Sequence, residues 1–187
     1  MARTQKKAQR EERAIVFIDE TALYLLPTAV RTWAPKGQTP ILKSRPYEHL
    51  SVISAMTPTG KLYTMAQETA FRGPDIVRFL NHLLRHISGK LLIIWDGLPA
   101  HRSQPVKTFL QQGAARRLHL ERLPGYAPDL NPDEGVWNYL KNVELRNKCC
   151  ADLTELRYEL RKAIARMRHK VETICSFVQQ AGLDPIV

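Results

Sequence analysis

Long hydrophobic runs are missing from this sequence. No stretch approaches the roughly 18 consecutive apolar residues that a membrane span needs, so no segment reads as bilayer-crossing. The basic residues 1–13 are not followed by the apolar core of a secretory signal, and a cytoplasmic protein is expected. Cysteine is scarce: Cys149 and Cys150 are neighbours and Cys175 is distant, which offers neither a disulfide framework nor a paired zinc-ligand spacing. The thiols are read as reduced. Acid is in short supply, with 18 Asp and Glu against 28 Lys and Arg, a net charge of +10 and a pI near 9.8. That excess is either discharged against an acidic partner, most commonly nucleic acid, or simply solvated. No internal repeat or low-complexity segment is present.

What is there reads as one domain, since 187 residues suffice for a single core without staples. Residues 1–13 carry five basic and two acidic side chains and almost nothing apolar larger than Ala. They read as a basic, solvated arm or a truncated linker, leaving 14–187 as the folded domain. Ala14 to Asp19 is an apolar run ending in acid and reads as a strand, with a turn at Glu20-Thr21 before a second strand from Leu23. Arg31 to Arg45 contains Arg31, Lys36, Lys43 and Arg45 and no acid, with Trp33 embedded, and reads as a basic hairpin or loop. His49 to Met56 and Lys61 to Gln67, joined by Thr57-Pro58-Thr59-Gly60, read as a β-hairpin.

A helix is predicted from Gly73, with Pro74 at its first position and apolar residues at threes and fours up to Ile87. Leu91-Leu92-Ile93-Ile94-Trp95-Asp96 is the centre of the reading: a strand buried on both faces whose terminal carboxylate emerges at the sheet's carboxyl edge, where open α/β sheets place ligands. A weaker helix follows over Arg102 to Ala115, then an alternating strand Leu118 to Leu123. A helix is predicted from Pro132 to about Lys148. A last, long amphipathic helix begins behind an Asp152/Glu155 capping box, with its stripe running from Leu153 to Val178. Its outer face carries Arg157, Arg161, Lys162, Arg166, Arg168 and Lys170, either solvated or contacting phosphate.

This element order predicts an α/β fold of the ribonuclease H-like kind, a mixed sheet flanked by helices on both faces. In it Asp19 lies mid-sheet, Asp96 on the adjoining strand, and Glu134 on a helix crossing nearby. Three converging carboxylates suit phosphodiester chemistry, because Mg²⁺ prefers carboxylate oxygens and three acids can hold two ions about 4 Å apart. Each residue also has a plainer reading. Asp19 and Asp96 sit where strand-end or turn residues sit. Glu134 is placed to close a capping box if Asn131 is the N-cap.

Four motifs then carry a resemblance: Phe17-Ile18-Asp19-Glu20, Trp33-Ala34-Pro35-Lys36-Gly37, Asp96-Gly97-Leu98-Pro99-Ala100-His101, and the long Leu123 to Glu134 segment running on through Trp137 and Leu140-Lys141. Over roughly residues 14–170 the chain resembles the catalytic domain of DDE transposases, in the bacterial insertion-sequence branch of the mariner superfamily. The resemblance implies that Asp19, Asp96 and Glu134 are catalytic, metal-binding acids. It implies Mg²⁺ as the working ion with Mn²⁺ as a substitute, and DNA-associated function in a bacterial cytoplasm. Hydrolytic cutting at transposon ends and transfer of the freed 3′ hydroxyl to a TA-containing target are the implied activity. Arg31, Trp33, Lys36, His101, Arg102 and Lys141 are candidate DNA contacts.

Glu20 and Asp133 are adjacent acids but off-register with the motifs, and stand outside the triad. Two departures accompany the resemblance. Gly97 stands where the family usually has Asn, removing a polar side chain beside the metal. The family's amino-terminal helix-turn-helix has no counterpart in the thirteen residues before the first strand, so a homodimer or a separately encoded helix-turn-helix partner is expected. A non-catalytic remnant that binds DNA or a full-length partner, and a different ribonuclease H-like nuclease, are the alternatives.

Overall fold

The computed structural model describes residues 2–26, 28, 29, 31, 33–38, 41, 48–125 and 127–183. Five strands form one sheet in the order β3-β2-β1-β4-β5: β1 (Arg13–Tyr24), β2 (His49–Met56), β3 (Leu62–Gln67), β4 (Lys90–Trp95) and β5 (Leu118–Arg122). The first three are antiparallel, and β1, β4 and β5 run parallel. Their connections are helical: α2 (Gly73–His86) leads to β4 and α3 (Gln104–Gln111) leads to β5. After β5 come α4 (Asp133–Tyr139), α5 (Leu153–Arg168) and α6 (Val171–Gln180).

Strand alternation decides which side chain meets which helix. Val16, Ile18, Leu91, Ile93 and Trp95 face α2 and α3, through Ile76, Phe79, Leu80, Leu83 and Val106. Ile15, Phe17, Leu92 and Ile94 face α4, α5 and α6, through Val136, Trp137, Leu160, Met167 and Ile174. The central apolar runs are thus buried on both sides, as expected of strands that helices cover twice. At the start of β4, Arg117 closes the α2–β4 junction by donating to the carbonyls of Leu84, Ile87 and Gly89 at 2.9, 2.5 and 2.8 Å.

Several sequence expectations are corrected. Residues 2–10 form a helix, α1 (Ala2–Arg10), not a solvated arm. Ala8 is buried in the core, and across the edge of β5 Lys7 Nζ meets Glu121 at 2.9 Å while Thr4 donates to the same carboxylate at 3.3 Å. One methyl and partners on another strand seat this helix, which is why its own composition is silent about it. The expected turn at Glu20-Thr21 does not form, and β1 continues unbroken to Tyr24 because β2 pairs with it from Phe17, opposite Met56, out to Tyr24, opposite His49. The helix from Pro132 ends at Glu144, its last turn widened over Leu140–Glu144 with Leu145 N–H bonding Leu140 O at 2.9 Å.

The single long terminal helix is two. Tight bonds from His169 N–H to Arg166 O and from Lys170 N–H to Met167 O end α5. The apolar stripe resumes in phase in α6, which hides the break from a periodicity reading. At the start of α5, Asp152 accepts from Glu155 N–H at 2.8 Å, but Glu155 reaches back to Ala151 N–H rather than to Asp152's own, a variant of the predicted box.

Candidate active site

Asp19 and Asp96 are brought together by strand register. Phe17 is aligned with Ile94 in the parallel β1–β4 pair, so two residues further on Asp19 comes level with Asp96, just past the end of β4. Both have the phase of Ile15, Phe17, Leu92 and Ile94, the sheet face on which α4 lies. Helix α4 is anchored there by Val136, Trp137 and Leu140, and its first turn carries Glu134. Asp19, Asp96 and Glu134 all line one cleft of about 500 Å³, together with Gly97, Arg122 and Asn131.

The electrostatics report the same convergence. Burial, together with the negative charges of Glu20 and Glu134, outweighs a hydrogen bond from Trp137 and raises the Asp19 carboxyl from 3.8 to about 7. That bond, from Trp137 Nε1 to Asp19 Oδ2, is 2.8 Å long and fixes the carboxylate's orientation. The capping-box reading of Glu134 fails. Pro132 is the N-cap, Asn131 Oδ1 accepts from Asp133 N–H at 3.2 Å, and the Glu134 carboxylate has no hydrogen-bond partner among the described residues. It is exposed at the cleft, free to bind a ligand.

On the opposite sheet face, alternation directs Glu20 away from Asp19 and towards His101 in the short 3-10 turn Pro99–Arg102. His101 is stacked flat on Trp95, ring centres 4.1 Å apart. Its Nε2 lies 2.8 Å from Glu20 and its Nδ1 lies 3.0 Å from Asp96 Oδ1. Burial opposes the imidazolium, but the Asp96 and Glu20 carboxylates prevail and hold His101 up at about 9. The same Asp96 oxygen accepts from Leu98 N–H at 2.9 Å. Burial alone would raise the Asp96 carboxyl, yet His101, the Leu98 amide and the charge of Arg122 keep it below its ordinary value. One oxygen of Asp96 is therefore tied down.

His101 was a candidate DNA contact, and its side chain is buried between two carboxylates instead. Glu20 and Asp133, off-register with the motifs, are nonetheless electrostatically coupled to the triad: Glu20 acts on Asp19, and Asp19 and Glu134 act on Asp133. Glu20, Asp96 and His101 offer ligand atoms within 4.8 Å of one another. Asp133 is fully buried and accepts from Ser54, the residue paired with Asp19 across β1 and β2. Burial raises its carboxyl well above the ordinary value despite that bond, with Asp19, Glu20 and Glu134 adding to the effect. Alternation along β1 was the available signal for Glu20, and position in a helix's first turn for Asp133. Neither indicates a partner so distant in sequence.

Gly97 also acquires a physical meaning. A Cβ at this position would lie 2.3 Å from Cζ and Nε of Arg122, so the guanidinium occupies the space that a side chain would need. Nothing in the local sequence marks Arg122 for this role: it has the phase of Leu118 and Leu120, on the α2 and α3 side of the sheet, and reaches the cleft only from the end of β5.

The remaining candidates are spread out. Arg31, Lys36 and Arg102 are exposed, as is Trp33 at 101%. Lys43 and Arg45 lie outside the described residues. Lys141 Nζ donates to Thr21 at 2.8 Å and lines a separate small cavity with Tyr24 and Lys148. The donor set of the cleft, carboxylate oxygens from Asp19, Asp96 and Glu134, is the hard-oxygen set that Mg²⁺ and Mn²⁺ prefer. The raised Asp19 carboxyl marks uncompensated negative charge of the kind a divalent cation relieves.

A mixed five-stranded sheet with helices on both faces, and acids from two adjacent strands and a crossing helix, defines a ribonuclease H-like domain. Solved structures agree in fold. The Mos1 strand transfer complex matches 97% of this chain and 60% of the Mos1 chain, with 17% identity and a TM-score of 0.63. A pre-cleavage Mos1 transpososome matches 96% of this chain and 59% of its own, with 16% identity and a TM-score of 0.65. The catalytic domain of Mos1 mariner transposase matches 98% and 90%, with 15% identity and a TM-score of 0.60. The chain thus spans about 60% of the Mos1 chains in the DNA complexes. A comparison with curated proteins gives no match by sequence. Residues 14–157 match the DDE superfamily endonuclease family, and the chain belongs to it.

Proposed function

We propose that this domain is the catalytic part of an insertion-sequence transposase, cutting DNA at transposon ends and joining the freed 3′ end to a TA-containing target. The observation that carries the reading is the common cleft of Asp19, Asp96 and Glu134 on a ribonuclease H-like sheet, in a chain of the DDE endonuclease family. Mos1, which shares the fold, has been captured as paired-end complexes with Mn and with Mg, which supports Mg²⁺ as the working ion here and Mn²⁺ as a substitute.

Asp19, Asp96 and Glu134 would hold the ions. When bound, divalent cations activate the attacking oxygen of an in-line displacement and stabilise the leaving one. The protein's contribution is preorganisation. Trp137 holds one oxygen of Asp19 and leaves the other for a ligand, and His101 with Leu98 N–H does the same for Asp96. Glu134 is left without a protein partner among the described residues, so it engages a ligand with no competing bond to break. A TA step suits such a site because it unstacks and kinks easily, which lowers the work of bending the target phosphate into the cleft. Transposon-end and target DNA are the partners in this reading.

The test is metal-dependent cleavage of a transposon-end duplex by wild type, Asp96→Asn and Glu134→Gln. Both variants should keep their fold and lose cleavage by a factor of at least about 10², the scale on which removing a positioned catalytic group acts. Folded Glu134→Gln that still cuts would sink the assignment. Strand transfer from a pre-cut end separates a transposase from a nuclease that only hydrolyses.

A further inference from the structure

Against the sheet's β5 edge lies a groove of about 850 Å³ lined by Lys6, Lys7 and Arg10 of α1 and by His119, Glu121 and Arg122 of β5. Arg122 also lines the carboxylate cleft, so groove and cleft meet at its guanidinium, which fills the space over Gly97. We propose that this groove binds the phosphate backbone of DNA and leads it past Arg122 to the carboxylates. The inference rests on the reading of the cleft as a DNA-processing site and adds the path by which DNA reaches it.

The groove's cations are largely uncommitted where most of those on the outer face of α5 are engaged. Lys6 and Arg122 have no ion-pair partner among the described residues, and Arg10 has only Glu11 at 3.6 Å, an acid that Arg13 already holds at 2.7 Å. Glu121 is matched by Lys7 at 2.9 Å. The groove's acid is therefore neutralised and its remaining charge is positive. Lys6 and Arg10 stand one turn apart on α1, a like-charge spacing that weakens a helix unless an anion lies against it.

The outer face of α5 and the start of α6, the basic surface most visible in the sequence, is largely engaged within the protein. Arg166 and Lys170 hold Glu144, Lys162 holds Glu159, Arg157 reaches Glu68, and Arg168 bonds Leu62 O. Such pairs must be broken before they can neutralise a phosphate. The groove cations need break little.

The test measures binding of a short labelled duplex across a salt series, using the full chain. The Lys6→Gln/Arg10→Gln double variant and Arg122→Gln change exposed side chains, and a thermal melt checks their fold. Each phosphate left unneutralised should lower the slope of log affinity against log salt by about 0.9, so the double variant should lose about 1.8 and Arg122→Gln about 0.9. Arg122→Lys should restore the slope, and Arg161→Gln on α5 should leave it unchanged. Wild-type slopes in the groove variants, or an equal drop in Arg161→Gln, would overturn the proposal. The cleft is judged separately: if groove variants lose slope while wild type fails to cleave under any divalent ion, the groove stands and the transposase reading falls. If Asp96→Asn abolishes cleavage and groove variants bind as wild type does, the reverse holds.

Discussion

Asp19 carries the site's electrostatic tension at the level of a single residue. Its carboxyl is raised from 3.8 to about 7, so between those values the folded protein keeps a proton that the unfolded chain releases. This contribution to stability is fully present below about pH 4 and is lost as pH rises through about 7. Asp19→Asn, which keeps an acceptor for Trp137 but no charge, should therefore melt higher than wild type at about pH 8 without divalent ions. A gain of about 1–3 kcal/mol, worth a few degrees, is expected, shrinking to nothing below about pH 4. Equal melting of the two proteins at about pH 8 would show that the carboxylate is not under strain. Asp96 behaves differently because His101, Leu98 N–H and Arg122 compensate it. Two acids level on adjacent strands thus differ in proton affinity through what lies behind each.

At the scale of elements, the fold depends on junctions as well as on helices and strands. Arg117 holds the turn from α2 into the start of β4 by a fork of three charge-assisted bonds to carbonyls that end the helix and span the loop. Arg117→Lys should not substitute, since a single ammonium cannot reproduce the planar fork. Urea denaturation of Arg117→Lys and Arg117→Gln is expected to show both destabilised by about 1–3 kcal/mol, within the range for lost bonds to a charged group. Lysine restoring wild-type stability would mean that charge at the helix end matters and the fork does not. Helix α4 makes a similar point. Gly135 lets Phe177 of α6 approach, since a Cβ there would lie 2.6 Å from its ring, and the helix bearing Glu134 is thereby pressed between the sheet and α6.

For the whole molecule, a divalent ion that joins β1, the end of β4 and α4 would link elements distant in sequence and bind only the folded state. Mg²⁺ at about 100 times its dissociation constant should stabilise wild type by about 2.7 kcal/mol, read as a rise in melting temperature. Asp96→Asn should remove most of that rise. A rise of equal size in the variant would place the stabilising ion elsewhere.

How much of this was legible beforehand follows from the range of the forces involved. The buried strands, the hairpin turn at Thr57 to Gly60, Pro74 at a helix start and the Asp152 cap are local preferences acting over a few residues, and the sequence displays them directly. The long Leu123 to Glu134 motif likewise made the family recognisable. The unbroken β1 and the seating of α1 were hidden because each depends on a partner from another part of the chain, and the break between α5 and α6 because the apolar stripe keeps its phase across it. The same holds within the site. The sequence by itself determined that acids stand at the end of one buried run, just past the end of another and at a helix start. Only the tertiary structure decided that β1 and β4 align Asp19 with Asp96, that Glu20 turns to the other face and meets His101, and that Arg122 fills the space left by Gly97. Strand register and close approach are set by packing across the sheet, and no local pattern encodes the distance between residues that packing brings together.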